Sequence, residues 1–299
     1  MLVQRAVDEP PPPVVVGVDG SPAGDAALEW AIGEAEVAGA ELIVCHAYTP
    51  EHIIRPVPAG ALGTIGQQQA RQRLQAAVAR AAHRLGRQSV HGELRPGDPA
   101  TVLMEAATGA QILVVGSHGY FAQTYRLLGS TALRVAAHAA CPAVVVRPLV
   151  TGPRGPFAGH VVVGVDGSEP AHAAVEFGFR YAALHDLPLA AVHVAAGWPG
   201  DFWTDDELLQ TYFATEPSAQ IRLAGELEPC HHKFPDVPVK RAVYGGDPVR
   251  GLLRAAGGAR LLVVGDRRRD SLRRLLLGSV SQGVVGHAAC PVAVVHAGS

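Results

Sequence analysis

The chain repeats itself. VVVGVDGS at Val14–Ser21 returns at Val161–Ser168, and GDP at Gly97–Pro99 returns at Gly246–Pro248. LVVG at Leu113–Gly116 returns at Leu262–Gly265, LLGS ends on Ser130 and on Ser279, and AACP ends on Pro142 and on Pro291. Matched segments in one order at nearly one spacing mean a duplicated domain, so the fold must be one that half of the chain can complete. At 299 residues, each half has the size of an ordinary domain. The Pro- and Gly-rich stretch Arg147–His160 reads as the junction. The expected organisation is a disordered tail over 1–13, a first domain over 14–148, a linker over 149–159 and a second domain over 160–299.

Within the first copy, strand-like and helix-like segments alternate. Val14–Val18 is a short β-branched run, hence a buried strand. Ser21 and Pro22 then supply a helix cap and a first helical position ahead of the Ala-rich segment Ala23–Ala38. Leu42–His46 is a second strand. Gln67–Gly86 repeats Leu74, Ala77, Val78, Ala81 and Leu85 on one helical face. Ser89–Leu94, Ile112–Val115 and Ala143–Val146 read as strands, and Pro99–Ala107 and Ser130–His138 as helices. Strands alternating with helices predict an α/β, Rossmann-like fold of parallel β-α-β units. The most apolar strands, the first and fourth, should be central. Ligands of such sheets bind at the carboxyl ends of strands where the winding direction reverses. That places Asp19 and the loop after Val115 at one cleft, and Asp166 and the loop after Val264 at another.

Composition narrows the function. The chain is 48% hydrophobic and 17% charged with a net charge of -2, which gives no broad attraction to nucleic acid or to an anionic membrane. The N-terminus lacks a signal-peptide pattern and no apolar run is long enough to span a bilayer, so a cytoplasmic location is the simplest expectation. Cys45, Cys141, Cys230 and Cys290 form no C-x-x-C pair, and the apolar setting of three of them suits buried structural thiols. Cys230, His231 and His232 adjoin, but their spacing does not suit a zinc site. The dipeptide Gly-Lys never occurs, which excludes a G-x-x-x-x-G-K-[ST] phosphate loop. No general base is clearly placed to activate water, so the chain reads as a binding protein whose hydrolysis, if any, is slow.

The segment after Val115 carries the ligand chemistry. Gly116 ends a strand, Gly119 and Gly129 follow, and Ser130 and Thr131 start a helix. Such a loop turns backbone amides and a helix N-terminus towards an anion, and Arg126 can add a charge-assisted contact. The spacing G-2x-G-9x-G-[ST] after an apolar strand, with VGVDGS near the start, resembles the universal stress protein family in its tandem bacterial form. The resemblance runs from about Val14 to His296. It implies two tandem adenine nucleotide alpha hydrolase-like domains, each a five-stranded parallel sheet flanked by helices. It also implies ATP, with or without Mg2+, between the first and fourth strands, and dimer-like pairing through the last strands. Position by position, Gly17, Val18 and Asp19 would serve the adenine and ribose side. Gly116, Ser117, His118, Gly119, Gly129, Ser130 and Thr131 would wrap the phosphates.

The second copy departs from this pattern. Gly164, Val165, Asp166, Gly265, Asp266, Arg267, Gly278, Ser279 and Val280 correspond, but Arg268 stands where the motif has its second glycine. Its side chain could block the phosphate pocket, or the arginines around it could hold phosphate themselves. The expected function is a nucleotide-dependent regulator of stress response or growth state, with ATP, a regulatory protein and a second copy as partners. The alternatives are a slow ATPase, a cyclic AMP binder and a nucleotide-independent scaffold. The bland readings are turn-capping by Asp19 and Asp166, turn geometry for the Gly-Asp-Pro segments, and solvent exposure for His118.

Overall fold

The computed structural model describes residues 10–48, 62–119, 128–148, 154–195, 217–266 and 277–298. Arg126, Arg267, Arg268 and most of the two stretches that follow the second strands of the repeats, 48–66 and 198–212, lie outside these.

Each repeat follows one element order. The first contains β1 (Val14–Gly17), α1 (Pro22–Ala38), β2 (Leu42–Tyr48), α2 (Leu62–Leu85), β3 (Val90–Pro96), α3 (Pro99–Ala106), β4 (Ile112–Gly116), α4 (Ser130–His138) and β5 (Ala143–Val146). The second contains β6 (Val161–Gly164), α5 (Glu169–Leu184), β7 (Leu189–Ala195), α6 (Pro217–Lys233), β8 (Val239–Gly245), α7 (Pro248–Ala255), β9 (Leu261–Asp266), α8 (Ser279–His287) and β10 (Val292–His296).

Local chemistry explains the boundaries. Ser21 caps α1 by accepting from Gly24 N, Pro22 occupies its first turn, and left-handed Gly39 ends it by donating back to Ala35 and Glu36. Asp98 and Asp247 cap α3 and α7 in the same manner, ahead of Pro99 and Pro248. That gives the Gly-Asp-Pro segments the turn and helix-start role expected of them.

The strands form a single sheet in the order β3-β2-β1-β4-β5-β10-β9-β6-β7-β8. All pairings are parallel except β5 with β10, where the two repeats join antiparallel. This is the expected pairing through the last strands. Val144 faces Ala293 there, while Val145 faces Val292 and Ala143 faces Val294. Pro142 corresponds to Pro291, so Val144 and Ala293 are the same repeat position and mark a local pseudo-twofold axis.

Alternate residues of the strands feed two core layers. Val14, Val16, Val144 and Val146 pack under α1, α2, α5 and α6. Val15, Val145, Val292 and Val294 pack under α3, α4, α7 and α8. Burial on both faces is what near-continuous β-branched strands require.

The described ends of the tail and of the linker are hydrogen-bonded. Pro13 O accepts from Gln111 N, and Pro12 O from Gln111 Nε2 at 2.6 Å. In the linker, Gly155 N donates to Gly257 O, Gly159 N donates to Gly258 O, and Phe157 is buried in the core. One aromatic side chain and two backbone bonds fix the described part of this Pro- and Gly-rich stretch to domain 2.

The halves also meet through buried polar groups. Glu34 of α1 lies 2.8 Å from His185 Nε2 at the end of α5, with side chains 3% and 10% exposed. Tyr181 stacks on His185 and also on Trp30 of α1. On the opposite face, Arg147 donates to Val285 O and Gly286 O of α8. His296 Nε2 lies 3.0 Å from Ala136 O of α4.

Candidate functional site

In the first repeat the winding reverses between β1 and β4. The helices that follow β1 and β2 pack on one face, and those that follow β3 and β4 on the other. The carboxyl ends of β1 and β4 therefore diverge and leave a cleft.

Asp19 stands at the centre of this cleft. Its Oδ1 accepts from Ser21 N at 2.9 Å and from Ser21 Oγ at 2.5 Å. Its Oδ2 lies where a Cβ on Gly119 would approach to 2.9 Å, and a Cβ on Gly24 would come within 2.7 Å of Oδ1. The carboxylate is thus slotted between two glycines, one on the loop and one on α1. Gly116 allows the closest approach: a Cβ there would stand 2.6 Å from the Ala23 backbone. Gly116 serves a backbone-to-backbone contact and Gly24 and Gly119 leave room for the Asp19 carboxylate; none of the three has a positive φ.

The glycine loop is anchored at its base. Gly129 N donates to Ser117 O, and Ser117 N donates to Val146 O. Gly129 leads into α4 with extended backbone and no side-chain cap, so the α4 amino end faces the cleft without a side-chain acceptor of its own among the cap bonds. Ser130 is exposed and Thr131 half-buried. Both stand in the first turn of α4.

Four assigned residues sit otherwise than expected. Ser117 and His118 are buried, and Ser117 Oγ lies 2.9 Å from His118 Nδ1, so these side chains brace the loop base instead of lining an opening. His118 is accordingly not the exposed loop residue of the bland reading. Val18 turns its side chain into the core, its N–H donates to Cys45 O, and its carbonyl accepts from His46 Nδ1 at 2.5 Å. Val165 repeats this with Val192 O and His193. Both valines hold the strand end and offer a ligand neither side chain nor these polar groups.

His46 and His193 escaped the sequence reading. The repeat carries the signal, because a histidine stands at the same position of both second strands. Arg73 of α2 was also missed; it lies over the Asp19–Gly20 turn and its Nη1 is 3.4 Å from Asp19 O.

The second repeat reproduces the turn and the strand reversal but changes the residues around them. Asp166 Oδ1 accepts from Ser168 N at 3.0 Å and Ser168 Oγ at 2.6 Å. Ala171 replaces Gly24, and Asp166 is exposed where Asp19 is half-buried. A Cβ at Gly24 would collide with Asp19, so the alanine explains the outward shift. Glu226 lies over Gly167 where Arg73 lies over Gly20. Asp266 replaces Ser117; it extends β9 by one residue, is buried, and its Oδ1 accepts from Gly278 N at 2.8 Å. Gly164 supports Leu252, Gly265 approaches the Pro170 backbone, and Ser279 and Val280 open α8. Among the described residues no group of His, Cys, Asp and Glu is arranged to hold a metal ion.

Comparison with known proteins fits this geometry. Residues 12–147 and 158–296 each match the model of the universal stress protein family. A universal stress protein of Mycobacterium tuberculosis is 32% identical over 292 residues, covering 94% of this chain and 95% of its own. One from Mycolicibacterium smegmatis is 33% identical over 296 residues, with 94% and 96% covered. Among solved structures, a universal stress protein from Archaeoglobus fulgidus superposes with a TM-score of 0.66 at 17% identity, covering 96% of this chain and 97% of its own, which shows the shared fold.

Proposed function

The chain belongs to the universal stress protein family, and on that premise we propose that it binds ATP in the cleft between β1 and β4 and acts as a nucleotide-dependent regulator of a stress response or of growth state. The observation that carries this reading is the slot formed by Asp19, Gly24 and Gly119 beside the open amino end of α4. A carboxylate held by Ser21 can accept from ribose hydroxyls, while glycine backbone and a helix terminus favour a polyphosphate. These two chemistries adjoin at one strand-end cleft, which suits a nucleotide better than either half alone. A regulatory protein and a second copy of the chain are the partners this role calls for.

The test is calorimetric titration of the full chain with ATP, with and without Mg2+, and with cyclic AMP in parallel. Saturable ATP binding that is lost in Asp19→Ala supports the reading. Preference for cyclic AMP would replace the ligand, steady ADP release would make the protein an ATPase, and no binding at all would leave a scaffold.

A further inference from the structure

The second cleft differs from the first in described residues that the glycine motif does not cover. Asp266 puts a buried carboxyl against the Gly278 amide, at the point where α8 begins. In the first repeat the matching amide is taken by a backbone carbonyl, Ser117 O, and no carboxylate stands there. Glu226 adds a second acidic group over the Asp166–Gly167 turn, where the first repeat has Arg73. The Glu226 Oε2 atom is buried without a hydrogen bond, and His172 Nε2 lies 4.0 Å from it. Both exchanges work in one direction, putting an acidic side chain where the first repeat has Ser117 or Arg73.

A polyphosphate at the amino end of α8 would lie beside a like charge already drawn to that helix terminus. Resting on the nucleotide reading above, we propose that Asp266 excludes polyphosphate from the second cleft, so that the chain carries a single ATP, in the first. Asp266 is in this sense the specificity-determining residue of the second repeat. Its carboxylate does what a bound anion would do for α8, and it does so permanently.

Equilibrium dialysis with labelled ATP on full-length chains tests this. Wild type should hold a single ATP and Gly119→Val none. Adding Asp266→Ser to Gly119→Val restores the residue of the first repeat, and should raise ATP affinity at least tenfold over Gly119→Val alone. Asp266→Asn keeps an oxygen for Gly278 N while removing the charge, so it guards against simple loss of fold and should give the same gain. Arg268 is left in place throughout. Two ATP of comparable affinity on wild type, or no gain from either Asp266 substitution, overturns the inference while the first site stands. No ATP on wild type overturns the nucleotide reading itself and this inference with it.

Discussion

Arg147 and His296 occupy the same position of the two repeats, and each reaches across the junction to the carbonyls of the helix that follows the other repeat's glycine loop. Val285, which accepts from Arg147, corresponds in turn to Ala136, which His296 contacts. Each loop helix thus begins at its own cleft and ends on its neighbour's last strand. Carbonyls at a helix end lack partners within the helix, and here the other domain supplies them.

Arg147→Ala should therefore destabilise the whole chain. Charge-assisted bonds to two carbonyls are lost at a half-buried site, a cost of about 1.5–3 kcal/mol. Calorimetric unfolding should show a lower melting temperature, and Arg147→Lys should recover only part of it, because an ammonium lacks the planar fork.

The Glu34–His185 contact should show strong coupling in a double-mutant cycle with Glu34→Gln and His185→Ala. Burial of both side chains removes the solvent screening that weakens surface pairs. A coupling energy of about 1–3 kcal/mol is expected from urea denaturation; a value near zero would mean that the Tyr181 stack alone joins α1 to α5.

Gly119→Ala should weaken ATP binding with little effect on folding. The added methyl meets Asp19 Oδ2 at 2.9 Å and pushes the carboxylate out of its slot. A ten- to hundredfold loss of affinity, roughly 1.4–2.8 kcal/mol, should appear in titration. Unchanged affinity would separate Asp19 from the ligand.

None of the four thiols should react in the native protein. Burial raises Cys45 and Cys141 to about 11 and Cys290 to about 12, and also raises Cys230. The thiolate is the reactive form. Iodoacetamide at pH 8 should label the chain only after denaturation.

Asp98 should contribute to acid sensitivity. The Thr101 amide and then Arg134 hold its carboxyl below the ordinary range. A depressed folded value means that the stabilisation is complete above the unfolded value near pH 4 and fades as pH falls through the folded value. Asp98 is mostly solvated, so its contribution to stability is below about 1 kcal/mol. Melting curves of wild type and Asp98→Asn should separate above about pH 5 and converge in acid.

The sequence made the architecture legible because its signals are periodic. β-branched runs, Ser-Pro and Asp-Pro helix starts, and the duplication itself define strand and helix order, and the family resemblance implied the β5–β10 junction. The cleft was legible only as a set of glycines and Asp19. Whether Val18 or Ser117 faces a ligand depends on side-chain direction at a strand end, which no spacing encodes. Partnerships such as Glu34 with His185, or Arg73 with the Asp19 turn, join residues far apart in the chain and leave no local pattern.

Joining two halves by β5 and β10 within one polypeptide has a further consequence. The tether fixes the effective concentration of each half at the other, so their pairing is independent of dilution. It also frees the halves from having to be identical. In an assembly of two equal chains, an aspartate at the position of Asp266 would appear in both clefts or in neither. Here one cleft can change its chemistry while the other keeps its own, and a single gene product holds two unlike sites at opposite edges of one sheet.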